Sequence, residues 1–388
     1  MNSSFTSLWD QYQKVRSSYY SIETDSKELL GCNAKKRCEE YIRDHFDKGA
    51  KEAALVIPFD EEYSNAHFRH IHMVSLYLLG RLLIDRDSGN SLFRERLSSL
   101  NLNGISDSNK YVWFQTCLYH DTASCNEKML EGDKESSTEI HPFNGDNSIY
   151  KNIEVCGKKF TPTYSKKLIE NYYRYAHDEF GNRDHGIIGG ALFYDKIVKI
   201  FNEKTSGLEP DSVGEYQVKG SCLSWNRSIL DAAAYISDAI MAHNLWTCSP
   251  ESETAKKYKE YKLDELIISS DEKKISISRP ESNPLLFLLC FLDTIEPIKR
   301  FWKESDGESE IGKILKLLSI QWRNNKILVI WNVAAMSYEG FYDWMKSVLG
   351  MRNWMDISIS PCKIYGKSIE EGTSLYIEID LNCDSQNS

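Results

Sequence analysis

The sequence predicts a mainly α-helical core followed by a small α+β domain. Three observations lead to this fold class. Apolar residues recur at helical spacing through the middle of the chain, strand-like alternation becomes frequent only after residue 320, and 388 residues with 41% hydrophobic side chains can bury one large core. We expect an N-terminal helical arm over residues 1–60, the helical core over 61–318 and the α+β domain over 319–388.

Six segments of the middle region have helical periodicity. Two insertions interrupt them. The polar stretch at about 124–165 either roofs a pocket or decorates the surface, and the stretch at 263–280 alternates around a polar turn like a small β excursion. The six helical segments are 66–86, 109–121, 165–178, 185–202, 226–246 and 284–302.

The C-terminal domain is predicted from a change of pattern. "NKILVIWNV", "WMDISISP" and "TSLYIEIDL" read as strands, and "YEGFYDWMKSVLG" reads as a helix that ends at Gly350. We therefore expect a small sheet with one helix after the helical core.

Composition limits the partners that the protein can have. A net charge of −10 gives no strong signal for nucleic acid or for an anionic membrane, which favours small ligands. The ten cysteines contain no C-x-x-C pair, which is typical of reduced thiols, and the longest apolar run, "NPLLFLLCFLD", is too short for a bilayer. We expect a soluble, cytoplasmic protein without a membrane partner, and homo-oligomerisation stays open.

His120 and Asp121 stand side by side at the end of an apolar helical run, "VWFQTCLYHD". A buried charged pair is costly unless something neutralises it, and a metal ion is one such group. Four other predicted helices also present one candidate ligand on an apolar face. Each histidine alone could be a hydrogen-bonded core residue, but the set offers imidazole and carboxylate ligands for two ions. These four ligands are His72, His185, His243 and Asp293.

This ordered series resembles the HD-domain superfamily of metal-dependent phosphohydrolases, in its six-ligand, two-metal variant. The resemblance covers roughly residues 66–302 and rests on "HMVSLYLLG", "WFQTCLYHDTA", "RDHGIIGGALF", "SDAIMAHNLW" and "NPLLFLLCFLDTIEP". It implies two divalent ions (Mn, Fe, Mg, Ni or Zn), with His120 and Asp121 as the catalytic pair. One ion would be held by His72, His120, Asp121 and Asp293, and the other by Asp121, His185 and His243, with Asp121 as the bridge.

The resemblance further implies hydrolysis of a nucleotide-like or other small phosphorylated substrate by water activated between two metals. Thr122, Ala123 and Ser124 follow the histidine–aspartate pair, so the phosphate-binding lysine of some branches has no counterpart there. The glycine-tyrosine-proline signature of cyclic-di-GMP hydrolases is also absent. Two alternatives stay open: a mixed-valent di-iron oxygenase similar to myo-inositol oxygenase, and a nucleotide-sensing module without catalysis.

Arg183, Asn244 and Lys299 are the candidate substrate-binding residues. Arg183 precedes ligand His185 by two residues, and Asn244 follows His243. Lys299 and Arg300 could meet an anionic ligand or only cap a helix C-terminus. Asp184 could orient a ligand histidine or be a solvated charge.

Two further ambiguities concern the histidines and the aromatic residues. His70 competes with His72 for the first ligand position, and His177–Asp178 is a second histidine–aspartate pair for which a role at a pocket lip or on the surface is expected rather than ligation. The aromatic residues near 226–246 could stack on a base, although aromatic residues at helical spacing more often belong to a core.

Overall fold

The structure of the chain is a computed structural model that describes part of the sequence. The first insertion lies mostly outside the described residues, and the N-terminal arm is described only from residue 6 to residue 17. The described residues are 6–17, 66–84, 93, 95, 97, 108–121, 123, 149, 161–205, 227–268, 274–277, 283–301, 314–323, 326–332, 338–365 and 374–381.

The described residues are mostly helical, and a small antiparallel sheet lies near the C-terminus, which confirms the mainly α prediction at this level. All six predicted core segments contain helix. In chain order the helices are α1 (Leu8–Ser17), α2 (Ala66–Ile84), α3 (Ser108–Tyr119), α4 (Lys166–Phe180), α5 (His185–Thr205), α6 (Arg227–Ala242), α7 (Glu253–Glu260), α8 (Pro284–Ile295), α9 (Ile298–Phe301) and α10 (Tyr338–Gly350).

Glycines let two pairs of core helices approach closely. A Cβ atom on Gly80 of α2 would lie 2.0 Å from the indole Nε1 of Trp113 on α3. On α5, a Cβ on Gly190 would lie 2.6 Å from the backbone oxygen of Ser237 on α6. Both distances are far below van der Waals contact, so these crossings need a residue without a side chain.

Helix α8 is the centre of the core. It is apolar all round, as expected of a helix covered on every side, and it packs against α2, α3 and α6. Asn283 begins the helix, because its side-chain oxygen accepts hydrogen bonds from the backbone N–H groups of Leu285 (3.0 Å) and Leu286 (3.2 Å). The same side chain donates to buried Asp238 of α6 at 2.9 Å.

The predicted segment 284–302 is not one helix. Helix α8 ends at Ile295, and a short helix begins again at Ile298. Pro297 explains the break, because proline has no N–H to donate and it pushes the preceding residue out of the helical region. Glu296 accordingly has an extended backbone, with φ −65° and ψ 119°.

Four strands form the C-terminal sheet: β1 (Leu318–Arg323), β2 (Lys326–Asn332), β3 (Ser358–Tyr365) and β4 (Ser374–Asp380). All pairs are antiparallel, in the order β1-β2-β4-β3. Three strands were expected, and β1 was missed because it comes just before the point at which the alternation becomes evident. Lys326 at the start of β2 pairs with Arg323 at the end of β1.

The C-terminal unit packs on the core through α10. Trp344 is fully buried, and its indole N–H donates to the backbone oxygen of Ile295 at the end of α8 (3.2 Å). The ring of Trp331 on β2 lies 4.9 Å from that of Trp344. Helix α1 contacts both parts, since the Gln11 amide donates to the Ile320 oxygen of β1 at 2.7 Å and α1 packs on α2.

The expected β excursion at 263–280 differs from a hairpin where it is described. Asp264–Leu266 forms a 3-10 turn. Ile267 and Ile275 each make one isolated parallel bridge, to Cys248 and to Met355 respectively. Both bridges join this stretch to other segments of the chain, and residues 269–273 and 278–280 of the expected excursion lie outside the described residues.

Candidate metal centre

One group of three candidate ligands joins helices α2, α3 and α8. His72 on α2 and His120 just after α3 are fully buried, and Asp293 on α8 is mostly buried. The Nε2 atom of His72 lies 3.0 Å from Oδ1 of Asp293 and 3.3 Å from Nε2 of His120. The ligand atoms of all three residues lie within 4.8 Å of one another, so the group could hold a metal ion.

A second group of three joins the end of α3 to the helices α5 and α6. Asp121 and His243 are buried, and His185 at the start of α5 is more exposed. His185 Nε2 lies 3.2 Å from Oδ1 of Asp121. These three ligand atoms also lie within 4.8 Å of one another.

Asp121 lies between the two groups. Its Oδ1 faces His185 in the second group. Its Oδ2 lies 3.9 Å from His72 Nε2 and 3.8 Å from His120 Nε2 in the first group. Each oxygen of a single carboxylate is therefore directed at a different group.

Three of the imidazoles are held through their Nδ1 atoms, so that Nε2 is directed into the cluster. His120 Nδ1 lies 2.8 Å from the Cys117 oxygen, and His243 Nδ1 lies 2.6 Å from the Ile240 oxygen. Both contacts place the N–H on Nδ1 and leave a lone pair on Nε2. His72 Nδ1 lies 2.8 Å from Oε2 of buried Glu296, as in a carboxylate–histidine–metal arrangement.

The donor set fits a metal ion. The Nε2 atom of His243 is buried and has no hydrogen-bond partner within the described part of the protein. An unpaired buried acceptor costs on the order of 1–3 kcal/mol, and a bound cation would remove that cost. Imidazole nitrogen and carboxylate oxygen together suit Zn, Mn and Fe.

The two carboxylates of the cluster are charged. Burial opposes their ionisation, but His120, Lys299 and His185 hold the pKa of Asp121 well below its usual range. In the same way, Lys299, His120 and His72 outweigh burial and hold the pKa of Asp293 well below its usual range.

His72 and His243 have opposite protonation behaviour. Burial disfavours a charged ring in both, and it lowers the pKa of His243 to about 3, with further lowering by the charges of His185 and His120. For His72, hydrogen bonds and charge from Asp293 and Glu296 overcome burial and raise the pKa to about 9. The His243 ring is thus neutral and can offer the lone pair of Nε2 to a metal ion. The His72 ring, in contrast, is positively charged unless a cation displaces one of its two protons.

The structure brings all six residues that were predicted as metal ligands into this cluster. The backbone of His70 is described, but its side chain lies outside the described residues. The competing pair, His177 and Asp178, lies exposed near the end of α4, with 2.9 Å between Nδ1 and Oδ1. That pair is separate from the cluster, in agreement with the surface role expected for it.

The residues predicted to bind substrate occupy three different positions. Lys299 reaches back from α9, and its Nζ lies 3.0 Å and 2.8 Å from the two oxygens of Asp293. The side-chain amide of Asn244 lies 2.9 Å from His185 Nε2. Arg183 is half-buried before α5, where it makes no hydrogen bond or ion pair with any residue that the structure describes.

Lys299 and Asp184 make contacts that the sequence did not predict. Lys299 does not cap the end of a long helix, because Pro297 has already ended that helix and Lys299 pairs with Asp293 instead. Asp184 caps α5, since its Oδ1 accepts from the Ile187 N–H at 2.8 Å. The side chain of Arg300 lies outside the described residues.

Glu296 is the important residue that sequence reasoning missed. It is fully buried, and it accepts hydrogen bonds from Ser75 Oγ (2.6 Å) and from the backbone N–H groups of Ile298 and Lys299 (3.0 Å each), besides its contact with His72. The only signal was a glutamate followed by Pro297, just after a helix that is apolar except for Asp293 and Thr294. A carboxylate at a helix break has backbone donors to accept from.

Comparison of the chain with protein-family models, with curated proteins and with solved structures found no match.

Among the described helices, none is both long enough and apolar enough to cross a membrane. Among the cysteines whose side chains the structure describes, Cys117, Cys248 and Cys290 are free thiols.

Proposed function

We propose that this protein is a metal-dependent phosphohydrolase of the HD-domain type, which acts on a small phosphorylated substrate in the manner of a phosphomonoesterase or phosphodiesterase. One observation carries the proposal. Asp121 directs one oxygen at each of two neighbouring donor groups, and five separate segments supply the six donors. A carboxylate in that position suits a pair of cations that share one ligand.

The assignment of ligands follows the two groups. His72, His120 and Asp293, together with Asp121, would hold one ion, and Asp121, His185 and His243 would hold the other. When bound, such ions supply an activated water at neutral pH and stabilise negative charge on phosphoryl oxygens. His120 and Asp121 belong to the catalytic pair in this proposal.

The other residues of the site position the ligands and the substrate. Glu296 fixes the His72 ring through Nδ1, so that Nε2 stays directed at Asp293. Asn244 contacts His185 and steadies the most exposed imidazole of the cluster. Lys299 places a positive charge beside Asp293, and this charge favours an anionic substrate over a neutral one.

The test begins with metal content. Protein purified without added metal is analysed for its elements and then assayed for phosphate release from a panel of monoesters and diesters with Mn, Fe, Mg, Ni or Zn. We expect phosphate release that needs a divalent ion and is lost in Asp121→Asn. Asp178→Asn is the matched control, because it alters the exposed histidine–aspartate pair and should leave activity unchanged.

Two results would contradict the proposal. Oxygen consumption with iron and without phosphate release would favour the di-iron oxygenase. Tight nucleotide binding without turnover of any ester, in protein that holds its metals, would favour a sensing module.

A further inference from the structure

A cavity of about 540 Å³ lies between the helical core and the C-terminal unit. Small-molecule sites commonly have volumes of about 300–1,000 Å³, so the cavity is large enough for a ligand. Both parts of the protein form its walls. Trp246, Thr294 and Lys299 belong to the core, and Asp343, Lys346 and Trp354 belong to the C-terminal unit.

The cavity adjoins the metal-ligand cluster. Thr294 follows the candidate ligand Asp293 directly, and Trp246 lies three residues after His243. Lys299 lines the cavity, and its Nζ also lies 2.8 Å from Oδ2 of Asp293. Lys299 therefore connects the wall of the cavity to the cluster.

Two tryptophans form a corner in the cavity wall. The rings of Trp246 and Trp354 lie 5.4 Å apart at an angle of 82°. Trp246 is 50% exposed, whereas Trp113, Trp331 and Trp344 are fully buried in the core. An exposed indole beside a cavity offers its face to another flat ring, since aromatic groups prefer stacked or edge-to-face arrangements.

The backbones that carry these two indoles are fixed by other segments. The Trp246 oxygen accepts a hydrogen bond from the Tyr258 hydroxyl at 2.7 Å. The Trp354 oxygen accepts one from the N–H of Ile275 at 3.1 Å. A preorganised aromatic corner loses little conformational entropy when a ligand binds.

Two lysines line the cavity, and one of them, Lys299, also pairs with Asp293. Lys299 lies at the cluster end, and Lys346 is exposed on α10 and has no ion-pair partner in the described stretches. Asp343 adds one acceptor, one helical turn before Lys346. Two cations and two indoles match a ligand that is anionic in one part and aromatic in another.

We propose that this cavity binds the aromatic part of a phosphate ester, so that the C-terminal unit supplies half of the substrate site. Trp246 and Trp354 hold the flat ring, Lys346 adds affinity for the anion, and the phosphate lies toward Lys299. This inference rests on the proposed phosphohydrolase function only in that the bound phosphate ester is then hydrolysed. Binding of the ring depends on the two indoles alone.

The test measures binding without turnover in the full-length, metal-loaded protein. Calorimetry compares a hydrolysis-resistant phosphonate analogue of adenosine 5′-monophosphate with the matching analogue of ribose 5-phosphate. Removing a stacked indole typically weakens binding of a base about tenfold or more. We therefore expect Trp246→Ala and Trp354→Ala to raise the Kd of the adenosine analogue at least about tenfold and to change that of the ribose analogue less than about twofold.

Two further variants separate the charge from the ring. Lys346→Ala should weaken both analogues to a similar extent, because both carry the phosphonate. Tyr342→Ala is the control, since Tyr342 is 70% exposed on the same helix and does not line the cavity. It should change neither Kd, and all variants should keep the metal content and unfolding temperature of the wild type.

Equal affinity of the two analogues, or no binding of either, would overturn this inference. Unchanged affinity in both tryptophan variants would overturn it even if the protein released phosphate from esters. Tryptophan-dependent binding in a protein that hydrolyses no ester would instead support the cavity assignment and contradict the proposed function.

Discussion

The opposite surroundings of His72 and His243 show how single residues set the properties of this cluster. At the His243 ring, Nδ1 contacts the backbone oxygen of Ile240, and burial together with the charges of His185 and His120 keeps the ring neutral. His72 lies between two carboxylates, Asp293 and Glu296, which stabilise its charged form. A cation at the first group has to displace the proton of His72, so Glu296 controls how basic that ligand is.

Replacing Glu296 tests whether this carboxylate sets the basicity of His72. Glu296→Gln keeps the size of the side chain but removes the charge that acts on His72 Nδ1. Mutations of such supporting residues typically weaken metal binding about 10–100-fold. We expect one of two metal equivalents to bind with this weaker affinity, as measured by titration of metal-free protein. Glu251→Gln, on the exposed turn before α7, should bind both equivalents as the wild type does.

Removal of the shared carboxylate, Asp121, should affect metal binding differently from removal of a ligand that belongs to one group. Asp121 faces both groups, so Asp121→Ala should lose nearly all bound metal, whereas His243→Ala should keep about one of two equivalents. Elemental analysis of the purified variants measures this. Metal content in Asp121→Ala equal to that of the wild type would contradict the shared role of this carboxylate.

Much of the cluster could be predicted at the level of residues, and the reason is physical. Each candidate ligand continues an apolar stripe of its own helix, so helical spacing alone placed His72 with Leu76 and Leu79 on a buried face. Glu296 and Lys299 could not be placed in this way. Their contacts depend on the break at Pro297, and Glu296 meets His72 across 224 residues.

At the scale of elements, close helix crossings hold the ligand helices in register. Ser237 Oγ of α6 donates to the Gly190 oxygen of α5 at 2.8 Å, so the two backbones touch where His185 and His243 face each other one or two turns away. Periodicity predicted both helices. It could not predict which face of α5 lies against α6, because that depends on the fit between glycines and the opposite backbone.

A methyl group at this crossing should therefore destabilise the fold. In Gly190→Ala, the new Cβ would lie 2.5 Å from Met241 Cγ and 2.6 Å from the Ser237 oxygen. Overpacking of this kind typically costs about 1–3 kcal/mol. Gly350→Ala is the matched control, since its φ is −66° and its Cβ would meet nothing within 4 Å. Urea unfolding should show a lower midpoint for Gly190→Ala and no loss for Gly350→Ala.

The start of α8 is stabilised both by a helix cap and by a buried hydrogen bond to α6. Asn283 caps the helix that carries Asp293 and also donates to buried Asp238, which accepts from Thr163 Oγ1 at 2.6 Å. Ser252 caps α7 at the surface, and its hydroxyl donates to the exposed Ser249 oxygen instead of to a buried carboxylate. Loss of a cap costs about 1 kcal/mol, and a buried carboxylate that loses a donor costs more. Asn283→Ala should thus lower the free energy of unfolding more than Ser252→Ala does, and equal losses would count against the link to Asp238.

At the scale of the whole molecule, the C-terminal unit is part of the site's surroundings. Alternation predicted three of its four strands, and helical spacing predicted its helix. The packing of Trp344 against the end of α8, however, depends on three-dimensional fit, which local patterns do not encode. That packing places α10 beside the end of α8, and residues of both helices line the cavity. The six ligands, spread over more than two hundred residues, meet only when the core is folded.

Metal removal should consequently destabilise the whole fold. An ion that binds only the folded state adds RT ln(1 + [L]/Kd) to stability, about 2.7 kcal/mol when the ion is at 100 times its Kd. Chelation should lower the unfolding temperature of the wild type and leave that of Asp121→Ala nearly unchanged, because this variant has little metal to lose. Calorimetry of both proteins before and after dialysis against a chelator decides the matter, and equal shifts in the two would show that the stabilising ions are bound elsewhere.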